Sequence, residues 1–66
     1  MKYSEIIKLL EQDGWYLVRT KGSHRQYKHI FKNGTVTVAG KPSLDVPVGT
    51  LLSILKQAKI NKEEIK

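Results

Sequence analysis

The chain has 66 residues, a formal net charge of +6 and no cysteine. So short a chain buries only roughly 60% of its unfolded surface, which leaves room for one domain, residues 1–66, and a small core. Without cysteine there is no disulfide framework and no thiolate metal site, and the chain suits a reducing cytoplasm. Its first residues mix acids and polar groups at helical spacing, unlike a signal peptide. No apolar run approaches the about 18 residues of a membrane span, so no membrane partner is expected. The charge is unevenly spread: residues 14–44 hold Arg19, Lys21, Arg25, Lys28, Lys32 and Lys41 with no acid, while the flanking segments cancel. One contiguous basic segment points to a polyanion, nucleic acid first. Solvated surface lysines, or an acidic protein partner, fit the same distribution.

In chain order, residues 3–12 predict an amphipathic helix, with Tyr3, Ile6, Ile7 and Leu10 on one stripe and Glu5, Lys8, Glu11 and Gln12 facing water. Ser4 is the expected cap and "DG" at 13–14 the stop. "WYLVRT" then changes the period to two. Tyr16, Val18 and Thr20 should share one face, opposite Trp15, Leu17 and Arg19. Gly22 marks a turn, "HRQYKHIF" predicts a second strand over 24–31, and "KNG" is a hairpin signal. "TVTVA" is the third strand, with Val36 and Val38 on one face. After the loop "GKPSLDVP", helical spacing resumes with Val48, Leu51, Leu55 and Ala58, flanked by Leu52 and Ile54, and Pro47 suits its start. Asn61 with Glu64 resembles a capping box, Ile60 with Ile65 a hydrophobic staple, so a short final helix is expected. Helix, three strands, helix gives an α+β fold: an antiparallel meander with both helices on one face and the other face open.

The chemistry-bearing residues are few: two histidines, six acids and three tyrosines. His24 and His29 are five apart, so along an uninterrupted strand they point to opposite faces and form no simple pair. The acids sit toward the ends of the chain, away from the basic middle, which suits a reaction without a metal or other cofactor better than a carboxylate-ligated metal. Neither a Walker-type phosphate loop nor a dinucleotide fingerprint is present. Metal-free RNA cleavage needs only a base for the 2′-hydroxyl, cations or amides for the phosphorane oxygens, and an acid for the leaving oxygen. His24 is the candidate for proton transfer. It follows Gly22 and Ser23, whose turn suits an anion-binding nest, and it shares a polar, basic strand face with Gln26 and Lys28. Lys21, Lys28 and Arg19 are the candidates for holding phosphates, and Lys28, Tyr27 or water for assisting His24. Each residue has a plainer reading: His24 as a turn residue, Ser23 as a turn-backbone partner, and Tyr27 as core. His29 reads as a satisfied, partly buried histidine, and Trp15 as a junction anchor or a base-stacking platform.

"LLEQDGWYLVRTKGSHRQYKH", "VTV" and "VPVGTLLSILKQAKI" together resemble, in order and over nearly the whole chain, the HicA family of toxins from HicAB toxin–antitoxin systems. The resemblance implies a double-stranded-RNA-binding-domain-like fold, ribosome-independent endoribonuclease activity on mRNA, and silencing by a HicB antitoxin. It places the family's essential histidine on His24, and its glycine and serine on Gly22 and Ser23. The sequence departs from the family where "AGKPSLD" replaces a proline-histidine-proline type run, where Leu52 replaces a common basic residue, and where Lys59 replaces a common glycine. An RNA-binding module without catalytic activity is the alternative, and an adaptor that meets an acidic protein is a third reading.

Overall fold

The computed structural model describes residues 1–60. In chain order it contains α1 (Tyr3–Gln12), β1 (Trp15–Lys21), β2 (His24–His29), β3 (Val36–Ala39) and α2 (Val48–Ala58). The strands make one antiparallel sheet in the order β1-β2-β3. Trp15, Tyr27, Val36 and Val38 project from one face of it and are buried against Ile6 and Leu10 of α1 and Ile54, Leu55 and Ala58 of α2. This is the α+β, double-stranded-RNA-binding-domain-like architecture expected from the sequence. Helices cover one face of the sheet, and apolar burial at about 25 cal/mol per Å² holds them there.

The element ends differ from expectation where loop carbonyls or a side chain outside the periodic pattern decide them. Helix α1 begins at Tyr3 with Lys2 at the cap, two residues earlier than a Ser4 cap implies. The Lys2 N–H donates to Glu5 Oε1 at 2.8 Å, the Tyr3 N–H to the Leu44 carbonyl at 3.0 Å, and the Ser4 N–H to the Pro42 carbonyl at 3.1 Å. The loop before α2 thus satisfies the first two amides of the helix, Tyr3 and Ser4, so the helix starts before Ser4, which lies inside the first turn. In α2, Val48 is exposed and the buried stripe begins at the partly buried Leu51, taking in Ile54, Leu55 and Ala58. The capping box and staple expected over residues 60–65 fall beyond the described residues.

Strand β2 stops at His29 rather than running on to Phe31. The His29 ring Nδ1 accepts the N–H groups of Phe31 (3.0 Å) and Lys32 (3.1 Å), drawing the chain out of the ladder and leaving Phe31 88% exposed. With Nδ1 accepting twice, Nε2 carries the hydrogen and donates to the Asp13 carbonyl at 2.6 Å. A Cβ on Gly14, at φ +104°, would sit 2.6 Å from that Nε2, so only glycine passes here. The Asp13 carboxylate accepts from Trp15 Nε1 at 3.2 Å and pairs with Lys32, whose ammonium also donates to the Ala58 and Lys59 carbonyls. His29 is therefore the satisfied, partly buried residue its position suggested.

Burial pushes the Tyr27 phenol above its ordinary value of 10.0, with Glu11 adding to the rise and the Arg25 charge opposing it. The folded state thus favours the neutral phenol. Its stabilising contribution is whole below about pH 10 and lost as pH climbs through the raised folded value. Tyr27→Phe is expected to flatten that alkaline loss, measured as urea midpoints across the alkaline range.

Helix α2 ends in a Schellman turn. The Lys59 N–H reaches the Lys56 carbonyl at 3.2 Å and the Ile60 N–H the Leu55 carbonyl at 3.0 Å. Lys59 itself is left-handed, with φ 54° and ψ 42°, a conformation that costs a residue with a Cβ about 1 kcal/mol. Lys59→Gly is expected to recover that amount and raise Tm by about 4–8 °C in a domain of this size. An unchanged or lower Tm in a thermal melt would contradict it.

Candidate nucleic-acid interface

The site begins at the β1–β2 hairpin. Lys21 and His24 are directly paired, leaving Gly22 and Ser23 as a two-residue turn. Gly22 has φ +60° while Ser23 stays at negative φ, the arrangement of a type II′ turn with glycine first. A Cβ at Gly22 would meet nothing within 4 Å, so backbone conformation rather than space demands the glycine. The turn makes His24 the first residue of β2, with a lysine facing it across the ladder.

Register then decides which side chains join it. Paired residues in an antiparallel ladder share a face, and Tyr27 pairs with the buried Val36 and with Leu17, which marks the helix side. The open side therefore carries Lys28 opposite Tyr16, Gln26 opposite Arg19, and His24 opposite Lys21. Thr37 and Ala39 of β3 continue it. Simple alternation would have put Arg19 on the side of Trp15 and Leu17, but the register slips between Leu17 and Arg19. The extra residue, Val18, resets the phase, so that Arg19 and Lys21 emerge on the open face and Thr20 turns to the helix side. This corrects the faces expected for Thr20 and Arg19. A bulge of one residue is the physical cause.

Arg19, Lys21, Gly22, His24 and Gln26 line an open concavity of about 590 Å³. Five of the seven residues singled out in the sequence thus come together. Lys28 lies further along the same face, and Ser23 is exposed at the tip of the turn. His24 is exposed, and among the described residues no side chain hydrogen-bonds its ring, whereas both nitrogens of His29 are engaged. Tyr27 is buried on the opposite face and drops out as a partner for His24. Trp15 is 2% exposed and bonded to Asp13, so it anchors the junction and stacks on no base. Arg25 faces the helix side, where Nη1 donates to the Gly40 carbonyl at 3.0 Å.

The described acids lie elsewhere: Glu5 and Glu11 on α1, Asp13 just after it, and Asp45 in the loop before α2. Among the described residues the open face is therefore positive without a local acid to compensate it, which attracts a polyanion and lowers the cost of charge building on it. Alternation and turn chemistry were enough to find the His24 face. Tyr16, exposed on that face beside Lys28, escaped notice because only the pairing register places it there.

The family model for the HicA toxin of bacterial toxin–antitoxin systems matches residues 3–60. The chain belongs to the HicA toxin family. Among curated proteins, none matches it. Membership in HicA supports a toxin role within a toxin–antitoxin pair. No helix among the described residues is long and apolar enough to cross a membrane.

The face assignment has a direct check in polyanion binding. Arg19→Ala and Lys21→Ala are each expected to weaken binding to a single-stranded polynucleotide and reduce the log–log salt slope by about 0.7. Arg25→Ala should leave the slope unchanged and instead cost about 1 kcal/mol of stability through its lost hydrogen bond. A slope reduced by Arg25→Ala and not by Arg19→Ala would place the bulge wrongly.

Proposed function

We propose that this HicA toxin is a metal-independent endoribonuclease that cleaves mRNA and so arrests translation in the cytoplasm. The observation that carries the reading is the exposed His24 set opposite Lys21, in a concavity shared with Arg19 and Gln26 on a face that bears none of the described acids. His24 draws the proton from a 2′-hydroxyl, and the 2′-oxygen attacks the adjacent phosphorus. The P–O5′ bond breaks, leaving a 2′,3′-cyclic phosphate and a 5′-hydroxyl, with the proton returned to the leaving oxygen by His24 or by water. Lys21 and Arg19 offset charge on the non-bridging oxygens, Gly22 and Ser23 hold the turn that presents His24, and Lys28 and Gln26 bind the strand beyond.

A HicB-like antitoxin is the proposed protein partner, with an acidic surface complementary to the basic face and covering His24. In a complex of the two, His24 left accessible and RNA cleavage unchanged would remove direct blockade.

The deciding experiment is cleavage of a defined single-stranded RNA in EDTA by wild type and His24→Ala, with end-group analysis. The expected result is cyclic phosphate ends from wild type and a rate lower by about 10²–10⁴-fold in the variant, with RNA affinity largely kept. Equal RNA binding and no cleavage by either protein would favour a non-catalytic RNA-binding module. Equal cleavage by both would remove His24 from the reaction, and cleavage of DNA as readily as RNA would rule out a 2′-hydroxyl nucleophile.

A further inference from the structure

We infer that Tyr16 is a base-stacking platform for single-stranded RNA, and that with Lys28 it forms a second subsite on the His24 face. The inference rests on the nuclease reading above and extends it to how the strand lies. Three observations carry it. Tyr16 is 47% exposed on the open face, while its neighbour Trp15 is almost wholly buried on the other; the exposed Phe31, beyond the end of β2, sets its ring beside His29 of the helix side, so the aromatic placed by register on the open face is Tyr16. Its cross-strand partner is Lys28, which places an ammonium beside the ring on the same face. Among the described residues, the aromatic contacts are Trp15 with His29 and His29 with Phe31, so the Tyr16 ring is not engaged by another aromatic.

The geometry gives the strand a direction. From His24 to Lys28 is four residues of β2, about 13 Å along the strand. Between them lie Gln26 and Arg19, paired with each other on the same face. Single-strand binders combine a basic track for the backbone with aromatic faces for the bases, and this row has both. The distance is about four times the 3.4 Å step between stacked bases. At stacked spacing the base on Tyr16 therefore belongs to a nucleotide about four steps along the strand from the cleaved one. Stacking accepts any base, so this subsite positions the strand while leaving sequence preference broad. The phenol ring can lie flat on a base only where that base is unpaired, which selects single strands over duplex.

The test uses a short RNA oligonucleotide carrying 2′-O-methyl groups throughout, which binds without being cut. Tyr16→Ala is expected to weaken binding about 5- to 100-fold with the salt slope unchanged, and Tyr16→Phe to keep wild-type affinity. Lys28→Ala should instead lower the slope by about 0.7. A scan of single abasic substitutions along the oligonucleotide should find one position whose base matters to wild type and not to Tyr16→Ala, a coupling that a merely structural tyrosine cannot show. Equal affinity of wild type and Tyr16→Ala, or abasic costs identical in both proteins at every position, would overturn the platform. So would duplex RNA bound as tightly as the single strand. Cleavage of unmodified RNA is measured alongside. Wild type that cleaves while Tyr16→Ala binds normally removes the platform alone. Wild type that binds through Tyr16 but never cleaves keeps the platform and removes the nuclease, and failure of wild type to bind overturns the platform whatever it cleaves.

Discussion

The fold depends on how its two helix ends are tied to one end of the sheet, and Asp13 is the centre of that tie. Its carbonyl accepts from His29, and its carboxylate from Trp15 and Lys32. Lys32 goes on to the last carbonyls of α2. The end of α1, the start of β1, the end of β2 and the end of α2 meet through these side chains. Lys32 and Asp13 are both partly exposed, so their Coulomb energy is modest, about 0–1 kcal/mol. What the cluster supplies is geometry: hydrogen bonds that fix where each element ends, and an ammonium on helix carbonyls that carry partial negative charge.

That arrangement divides the hairpin into two ends with different work. Trp15 and His29 form its fixed end, one register pair packed edge to face with ring centroids 5.2 Å apart. Lys21 and His24 form the other end, where the exposed residues carry the chemistry proposed for HicA. Between them the bulge at Val18 adds local twist and shifts the side-chain phase of β1. Upstream of it the strand obeys the core, placing Trp15 inward. Downstream it obeys the site, placing Arg19 and Lys21 outward. A strand with strict alternation could not have served both.

The limits of legibility follow from the same physics. Both helices, the third strand and both hairpins were readable because each rests on local information: the stripe of Ile6 and Leu10, the alternation of Val36 and Val38, the glycines of the turns. The His24 face was readable because β2 is regular from His24 to His29. The errors came where something other than the local periodic pattern decides. Ser4 fell inside α1 because the Leu44 and Pro42 carbonyls accept the Tyr3 and Ser4 amides and let the helix start at Tyr3, Phe31 left the sheet because a ring nitrogen of His29 captured its amide, and Val48 was left exposed at the start of α2. The bulge is the deepest case. "WYLVRTK" gives no sign of which residue is extra, since that is set by pairing with β2 rather than by β1 alone.

The separation of core from site also explains how so small a domain can carry a polar, highly charged surface. Every fully buried side chain in the described residues comes from the helices, the inward face of the sheet, or the segments joining them. The open face contributes little burial, and its cations need no partner within the fold. Their mutual repulsion is a modest cost across solvent-screened distances, since the Debye length at physiological salt is about 8 Å. A polyanion laid across Arg19, Lys21 and Lys28 relieves that repulsion on binding. The same charges that slightly destabilise the free protein thus favour the bound one, and stability rises with occupancy of the face by mass action. On the function proposed above, an antitoxin with an acidic surface would draw on the same source of affinity as RNA, and the two would compete for one face of the sheet.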